Sequence, residues 1–539
     1  MRVRRRTFLK AGAAAGALAG LSAGPALNAF ADGRVDRRPN RSRYGPGKWV
    51  ATTCQGCTTW CPAEVFVQDG RAVKVRGNQH SKQNDGTLCP RGNLGLQELY
   101  DPDRVKVPMK RTNAAKGRGV DPKWVPITWD EALDTIADKI MTLRKNKEAH
   151  KYLLMRGRYT YMRDMIYDAM TKIIGSPNNI SHSAICAEAE KFGPYYTEGL
   201  WSYRDYDIAN TKYAVIWGCD PLSSNRQVPA AIRRWGDLLD RGTVVAIDPQ
   251  QHTTANKAHE WLPIVPGQDG ALALAFAHVI LKEGLWFKEF VGDFNDKKNL
   301  FAKGGKVDEA AFTEVHTHGI VKWWNLAVSR CTPEWAATVT GITTEQIYKV
   351  ARGMAAAAPN AMVWLGPGAC MQVRGAYAAM AIHALNGLLG AVDNVGGTLS
   401  GSKIPVKKMP SVDAYKDELA KVKHKKMDQR GYLEFPSLKK GKPGGGVVTN
   451  NLADGILSED PYDVKVAIGY MNNFAFSCGG AQRWEKALAK LPFFAHITTH
   501  VSETSQFADI ILPAPTSSFE KWGWVKSKQN RHAFVSLLK

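Results

Sequence analysis

Residues 52–65 read TTCQGCTTWCPAEV and residues 86–93 read GTLCPRGN, so Cys54, Cys57 and Cys61 stand within eight residues and Cys89 follows after a gap of 27. Thiols this dense staple a chain or bind metal. Nine cysteines is an odd number, and the other five, Cys186, Cys219, Cys331, Cys370 and Cys478, are scattered singly. Disulfide frameworks serve small secreted domains that lack a core, and 539 residues with 44% hydrophobic content do not lack one. A metal is therefore expected. Structural zinc sites usually present two CxxC knuckles, whereas three clustered thiols plus a distant one followed by proline is a common way to wrap a cubane. The spacing favours a [4Fe–4S] cluster on Cys54, Cys57, Cys61 and Cys89, with zinc as the alternative.

Upstream, residues 1–33 join an arginine-rich head to an apolar run of small residues and an Ala29-Phe30-Ala31 triplet, which reads as an export signal over 1–31. Arg5 and Arg6, with Phe8 and Leu9 after them, resemble a twin-arginine address, so the expected location is the periplasm, reached by a folded, cofactor-loaded chain. The net charge of +22 falls to +17 without the five basic residues of that signal, which holds no acid. Such an excess suits nucleic acid, anionic lipid or a small oxyanion. Export excludes nucleic acid. Much of the excess lies between Lys403 and Lys442 and is expected to form a solvated loop.

Downstream of Cys89 the pattern alternates. Thr128 precedes an amphipathic helix with Glu131 three residues on and Leu133, Ile136, Ile140 and Leu143 at helical spacing. Strand-like runs recur at 212–218, 243–248, 360–366, 464–470 and 507–513, with helical segments such as 270–284 between them. This predicts an α/β fold with parallel sheets, long enough for more than one domain. Several runs end in glycine, aspartate or asparagine: Gly218, Asp220 and Asn225; Asp248, Gly267 and Asp269; Gly366 and Gly368. At strand carboxyl ends these are candidates for holding a nucleotide-like cofactor. No GxGxxG follows an early strand, so a simple NAD enzyme is unsupported.

The four cysteines, together with DPDRVKVPMKR (101–111), PITWDEAL (126–133), the 247–272 segment and ETSQFADIILP (503–513), resemble the dimethyl sulfoxide reductase family of molybdopterin oxidoreductases. The resemblance implies molybdenum on two molybdopterin guanine dinucleotides beside the [4Fe–4S] cluster. By the same comparison Cys186 is the metal's protein ligand, a soft thiolate suited to a sulfur-bound metal, and Arg91 lies between cluster and pterin. It further implies a ferredoxin-like iron–sulfur subunit and electron exchange with quinol or a cytochrome.

MRGRYTY (155–161), SHSAICAEAEK (181–191) and YYTEGLWSYRDYD (195–207) resemble the arsenate-reducing branch of that family. The implied pocket contains Arg158, Tyr159, His182, Ser183, Lys191 and Tyr203 around a tetrahedral oxyanion, a set of cations and donors suited to a dianion. The implied reaction is oxygen-atom transfer with two electrons, arsenate to arsenite. Arsenite oxidation, or reduction of tetrathionate, polysulfide or selenium oxyanions, is the rival. Relatives carry a further barrel-like C-terminal domain, so this chain is expected to lack part of the cofactor site. A non-catalytic iron–sulfur remnant is thus the reading from another class. The expected domains are 45–110 for the cluster, 111–186 with 359–539 as one α/β domain, and 187–358 as the other.

Overall fold

The structure, a computed structural model, describes residues 46–57, 59–157, 162–186, 188–225, 228–291, 328–401, 404–406, 410–429, 447–516, 519, 523–526 and 534–538. The export signal, Arg158 and Tyr159 lie outside the described residues. No described helix is long and apolar enough to cross a membrane. The chain divides into a small unit that includes Phe66–Val73 and a large one of Val50–Val65 and Lys74–Lys539. Every site residue discussed below belongs to the large unit.

In chain order the strands are β1 (Lys48–Thr53), β2 (Pro62–Gln68), β3 (Arg71–Gly77), β4 (Met109–Arg111), β5 (Trp124–Pro126), β6 (Tyr152–Arg156), β7 (Asn179–Ser181), β8 (Asp205–Tyr206) and β9 (Tyr213–Trp217). They continue with β10 (Thr243–Ile247), β11 (Glu260–Leu262), β12 (Ala361–Leu365), β13 (Thr398–Leu399), β14 (Val466–Tyr470), β15 (Phe493–Thr498), β16 (Ile510–Pro513), β17 (Gly523–Lys526) and β18 (Val535–Leu538). Two sheets form the body: β5-β4-β16-β15-β14-β6-β7, parallel from β16 to β7, and the all-parallel β11-β10-β9-β12. The predicted parallel α/β architecture is borne out.

The central strands are unbroken apolar runs because both faces are covered. Leu153, Met155 and Ala467 enter one core while Tyr152, Leu154, Val466 and Ile468 enter the core on the opposite face. The four-stranded sheet repeats the alternation, with Val215, Trp217 and Val363 on one side and Ala214, Ile216 and Trp364 on the other. Each sheet also reverses its strand order once. β6 pairs with β7 on one side and β14 on the other, and β9 with β10 and β12. Connections diverge at such a point and leave a crevice at the carboxyl ends of the strands.

Several expectations need correction. Strand β12 joins β9, and β13 pairs with β8, so the chain to about residue 400 belongs with the four-stranded sheet, past the boundary set at 358. β4 pairs with β16, so the boundary at 110 cuts a strand of the seven-stranded sheet. The amphipathic helix forms over Trp129–Lys145 with Thr128 capping Glu131 N, but Leu133 is 51% exposed and Ala132 takes its place in the core. Within the expected solvated loop most described residues are exposed or half-buried, but Met427 and Asp428 are fully buried and the Met427 N–H donates to Asn178 Oδ1, so the segment docks at that point.

Candidate functional site

Cys54, Cys57, Cys61 and Cys89 line one small cavity with Gly92, Arg91 and Val228. The tight turn returns Cys54 N to Cys61 O at 2.9 Å, and Pro90 starts a short helix directly after Cys89. None of the four forms a disulfide, and Cys54, Cys61 and Cys89 are buried. Burial first, then the neighbouring Cys57, Cys54 and Cys89, pushes the Cys61 thiol well above its ordinary range, while Arg91 pulls it back. Four mutually repelling thiols in a dry cavity suit a cation-rich group that keeps them deprotonated. No three His, Cys, Asp or Glu side chains among the described residues converge as for a single ion. Four thiols lining one cavity fit the cubane that their spacing predicts.

Arg91 links this cavity to a second one. Its Nη1 lies 3.5 Å from the Ser224 carbonyl, and Ser224 lines a cavity of about 420 Å³ with Gly218, Cys219, Asp220, Asn225, Asp248, Gln250, His252 and Pro367. These residues come from the turns after β9, β10 and β12, which is the crevice at the strand reversal. Gly218 has φ +63°, and a Cβ there would sit 2.3 Å from Ala369 N. Gly366 N and Gly368 N donate to the Trp217 and Gly218 carbonyls, both at 2.8 Å. The two glycine turns therefore interlock, and the predicted Gly366 and Gly368 shape the crevice rather than line it.

The polar lining is organised. Asp220 Oδ1 accepts from Thr254 Oγ1 at 2.5 Å and Thr254 N at 3.2 Å, and Asp248 Oδ1 accepts from Gln250 N at 2.9 Å. His252 stands between the carboxylates, Nδ1 3.9 Å from Asp220 and Nε2 3.4 Å from Asp248. Its Nδ1 accepts from Ala255 N, so a neutral ring carries its proton on Nε2. Carboxylates, an amide and a hydroxyl at such an opening suit the N–H and O–H donors of a nucleoside, and the volume falls in the small-molecule range. Asp269 does not line this cavity: it is buried, and its carboxylate accepts from Trp217 Nε1 and Gln372 Nε2, both at 2.8 Å. Burial raises its pKa, and Gly267 just before it does not line this cavity. His252, Gln250 and Pro367 were missed, because helix-capping and turn residues carry no cofactor pattern in sequence.

Of the oxyanion candidates, His182 and Ser183 stand at the carboxyl edge of the other sheet. His182 follows β7 and donates its N–H to Arg156 O of β6 at 3.0 Å, while Gly157 N donates to Tyr470 O of β14 at 2.9 Å. Arg158 and Tyr159 follow Gly157 directly in sequence. Ser183 is buried, its Oγ accepting from Ser181 Oγ at 2.8 Å, and Cys186 closes the short turn with its N–H on Ser183 O at 3.1 Å. The helix Glu188–Glu198 starts at once and carries Lys191, whose Nζ lies 4.9 Å from the centre of the Tyr203 ring. Thus His182, Ser183 and Cys186 form one local group and Lys191 with Tyr203 another, joined by the start of one helix.

That helix is fixed from both ends. A Cβ at Gly193 would sit 2.6 Å from Ala379 O, so it packs closely on the helix Gly375–Leu388. At its end, Glu198 accepts from Arg204 Nε and meets His383 Nε2, both at 2.8 Å. Burial alone would raise the Glu198 pKa, but the hydrogen bonds from His383 and Arg204 outweigh it and hold the carboxyl near 2. The buried Glu198–Arg204 ion pair stays charged at any physiological pH.

Comparison with known proteins agrees with this geometry. Residues 47–101 match the molybdopterin oxidoreductase Fe4S4 domain and residues 104–534 match the molybdopterin oxidoreductase family. The chain is 56% identical over 540 residues to the arsenate respiratory reductase molybdopterin-containing subunit ArrA of Chrysiogenes arsenatis, and 52% over 537 residues to that of Shewanella sp. strain ANA-3. Those matches cover 100% and 99% of this chain, which spans 63% of the length of each relative. Acetylene hydratase from Pelobacter acetylenicus shares the fold with a TM-score of 0.70 at 20% identity, over 90% of this chain and 66% of that one. From the thiol turn to the last strands the matches leave little of the chain uncovered, and it belongs to the molybdopterin oxidoreductase family, with its iron–sulfur domain at the amino-terminal side.

Proposed function

We propose that this chain is the catalytic part of a respiratory arsenate reductase, taking two electrons through its iron–sulfur cluster and converting arsenate to arsenite. The observation that carries the reading is the match to two ArrA subunits along the whole chain, at 56% and 52% identity. The local group of His182, Ser183 and Cys186, joined through one helix to Lys191 and Tyr203, supports it. The molybdenum–pterin group would be held with Cys186 as its protein ligand and the Asp220–Asp248 crevice seating a guanosine end, and it would supply the electron pair and the oxygen-acceptor chemistry.

The chain's own residues hold the substrate. Arsenate is a dianion at neutral pH, and Arg158 and Lys191 neutralise it as its As–O bond breaks. Ser183 orients it, and His182 and Tyr203 are the titratable groups that supply protons as the departing oxygen becomes water. Arg91, reaching from the cluster cavity to Ser224, places a fixed positive charge beside the electron path. A ferredoxin-like subunit, fed by quinol or a cytochrome, is the proposed electron partner.

The test is turnover with a reduced dye by the metal-loaded protein in its complex. Arsenate should be reduced in preference to tetrathionate, polysulfide and selenate, and arsenite should be oxidised more slowly. Faster turnover of a sulfur oxyanion would overturn the assignment. Export by the twin-arginine route is proposed on the Arg5-Arg6 pair. Changing both to Lys should leave the precursor in the cytoplasm, because the address reads arginines rather than charge. Normal periplasmic accumulation of that variant, followed by fractionation, would mean the general secretory route.

A further inference from the structure

Lys191 Nζ has a second aromatic neighbour besides Tyr203: it lies 5.4 Å from the centre of the Trp201 ring. Trp201 itself meets Phe192 at 5.2 Å and Tyr195 at 5.6 Å, edge-on to both, so its ring is braced against the helix that carries the lysine. The turn bearing Trp201 and Tyr203 is pinned by Arg204, whose guanidinium is 4% exposed and binds Glu198, Asp393 and Ser400. The aromatic pair is therefore tied to a rigid frame on both sides.

A lysine ammonium is a compact charge on a flexible stem, so an unbraced one samples many directions. A ring face attracts the cation through its quadrupole and leaves the net charge in place, and tryptophan provides the strongest such face. Trp201 has no acid–base chemistry at working pH, since its indole is a donor only. Resting on the reading of Lys191 as a cation for the oxyanion, we propose that Trp201 is a positioning residue, holding the Lys191 ammonium ready for the substrate. The residue acts through Lys191 and touches no reacting atom.

The experiment is a double-substitution cycle on the metal-loaded protein in its complex, reading arsenate binding to the oxidised form by calorimetry alongside kcat and KM. Trp201→Leu should weaken arsenate binding by about 3- to 10-fold, the range of a partly buried cation–π contact, with iron and molybdenum content unchanged. Trp201→Phe, which keeps a ring face, should recover most of it. In a Lys191→Met background Trp201→Leu should cost nothing further. Where Trp201→Leu does not load its metals, Trp201→Phe carries the same cycle with a smaller step. An equal loss in both backgrounds, or no loss in either, overturns the positioning role. A Lys191→Met variant that binds arsenate normally overturns the substrate reading itself, and with it the inference, so the two failures are distinct.

Discussion

The cluster thiols were legible at the scale of single residues because their spacing is the chemistry. Cys54, Cys57 and Cys61 come from one turn, and their convergence with Cys89 pushes the Cys61 thiol up through burial and mutual repulsion. Cys57→Ser should therefore abolish or strongly alter the EPR signal of the reduced protein; an intact signal together with a full zinc content would contradict the cluster. Other residues were legible only through family resemblance. Cys186 and Lys191 look like an ordinary helix cysteine and a surface lysine until the structure places one at a sheet edge and the other against Tyr203. The partners of Asp269 were not legible either: an aspartate at a helix start reads as a ligand group, and its carboxylate accepts from Trp217 and Gln372. Trp201 carried no signal at all, since an aromatic ten residues from a lysine predicts no contact.

Strands β9, β10, β12, β14 and β16 were readable at the scale of elements because burial on both faces writes a continuous apolar run. Which sheet each joins was not. β12 follows a long excursion from β9, and nothing in Ala361–Leu365 says that it returns beside Tyr213–Trp217. Partner choice is a matter of tertiary packing, and so the boundary at 358 fell short. The close approach of the helix Glu188–Glu198 to Gly375–Leu388 shows how such packing serves the site. Gly193→Ala would drive a methyl into the Ala379 carbonyl. Overpacking of this kind typically costs about 1–3 kcal/mol, so the thermal midpoint should fall by several degrees in calorimetry while the reduced-cluster EPR signal persists. An unchanged midpoint would mean that the two helices separate freely.

Acid should weaken the whole molecule in two successive windows. His496, within β15, is fully buried, and burial holds its pKa near 4, against an ordinary 6.5. The unfolded chain binds this proton and the folded one does not, so stability is fully present above about pH 6.5 and falls toward pH 4, by up to about 3 kcal/mol. Glu198 acts lower: its stabilisation is complete above about pH 4.5 and is lost as pH falls toward 2. His496→Gln should flatten the fall of the thermal midpoint between pH 6.5 and 4; an unchanged slope would assign that acid lability elsewhere. At the same scale, two sheets present carboxyl edges, one with a polar crevice and one with His182, Ser183 and Cys186, from which one helix leads to Lys191 and Tyr203, and Arg91 connects the crevice to the thiols. The account stands on that second edge being an arsenate site. The most direct measurement is kcat/KM for arsenate in Lys191→Met against the parent protein, with molybdenum and iron determined on the same samples. Loss of a charge-assisted hydrogen bond of roughly 1.5–3 kcal/mol predicts a fall of about 10- to 100-fold at normal metal content. Undiminished arsenate turnover in Lys191→Met, or a parent protein holding iron but almost no molybdenum, would contradict the account.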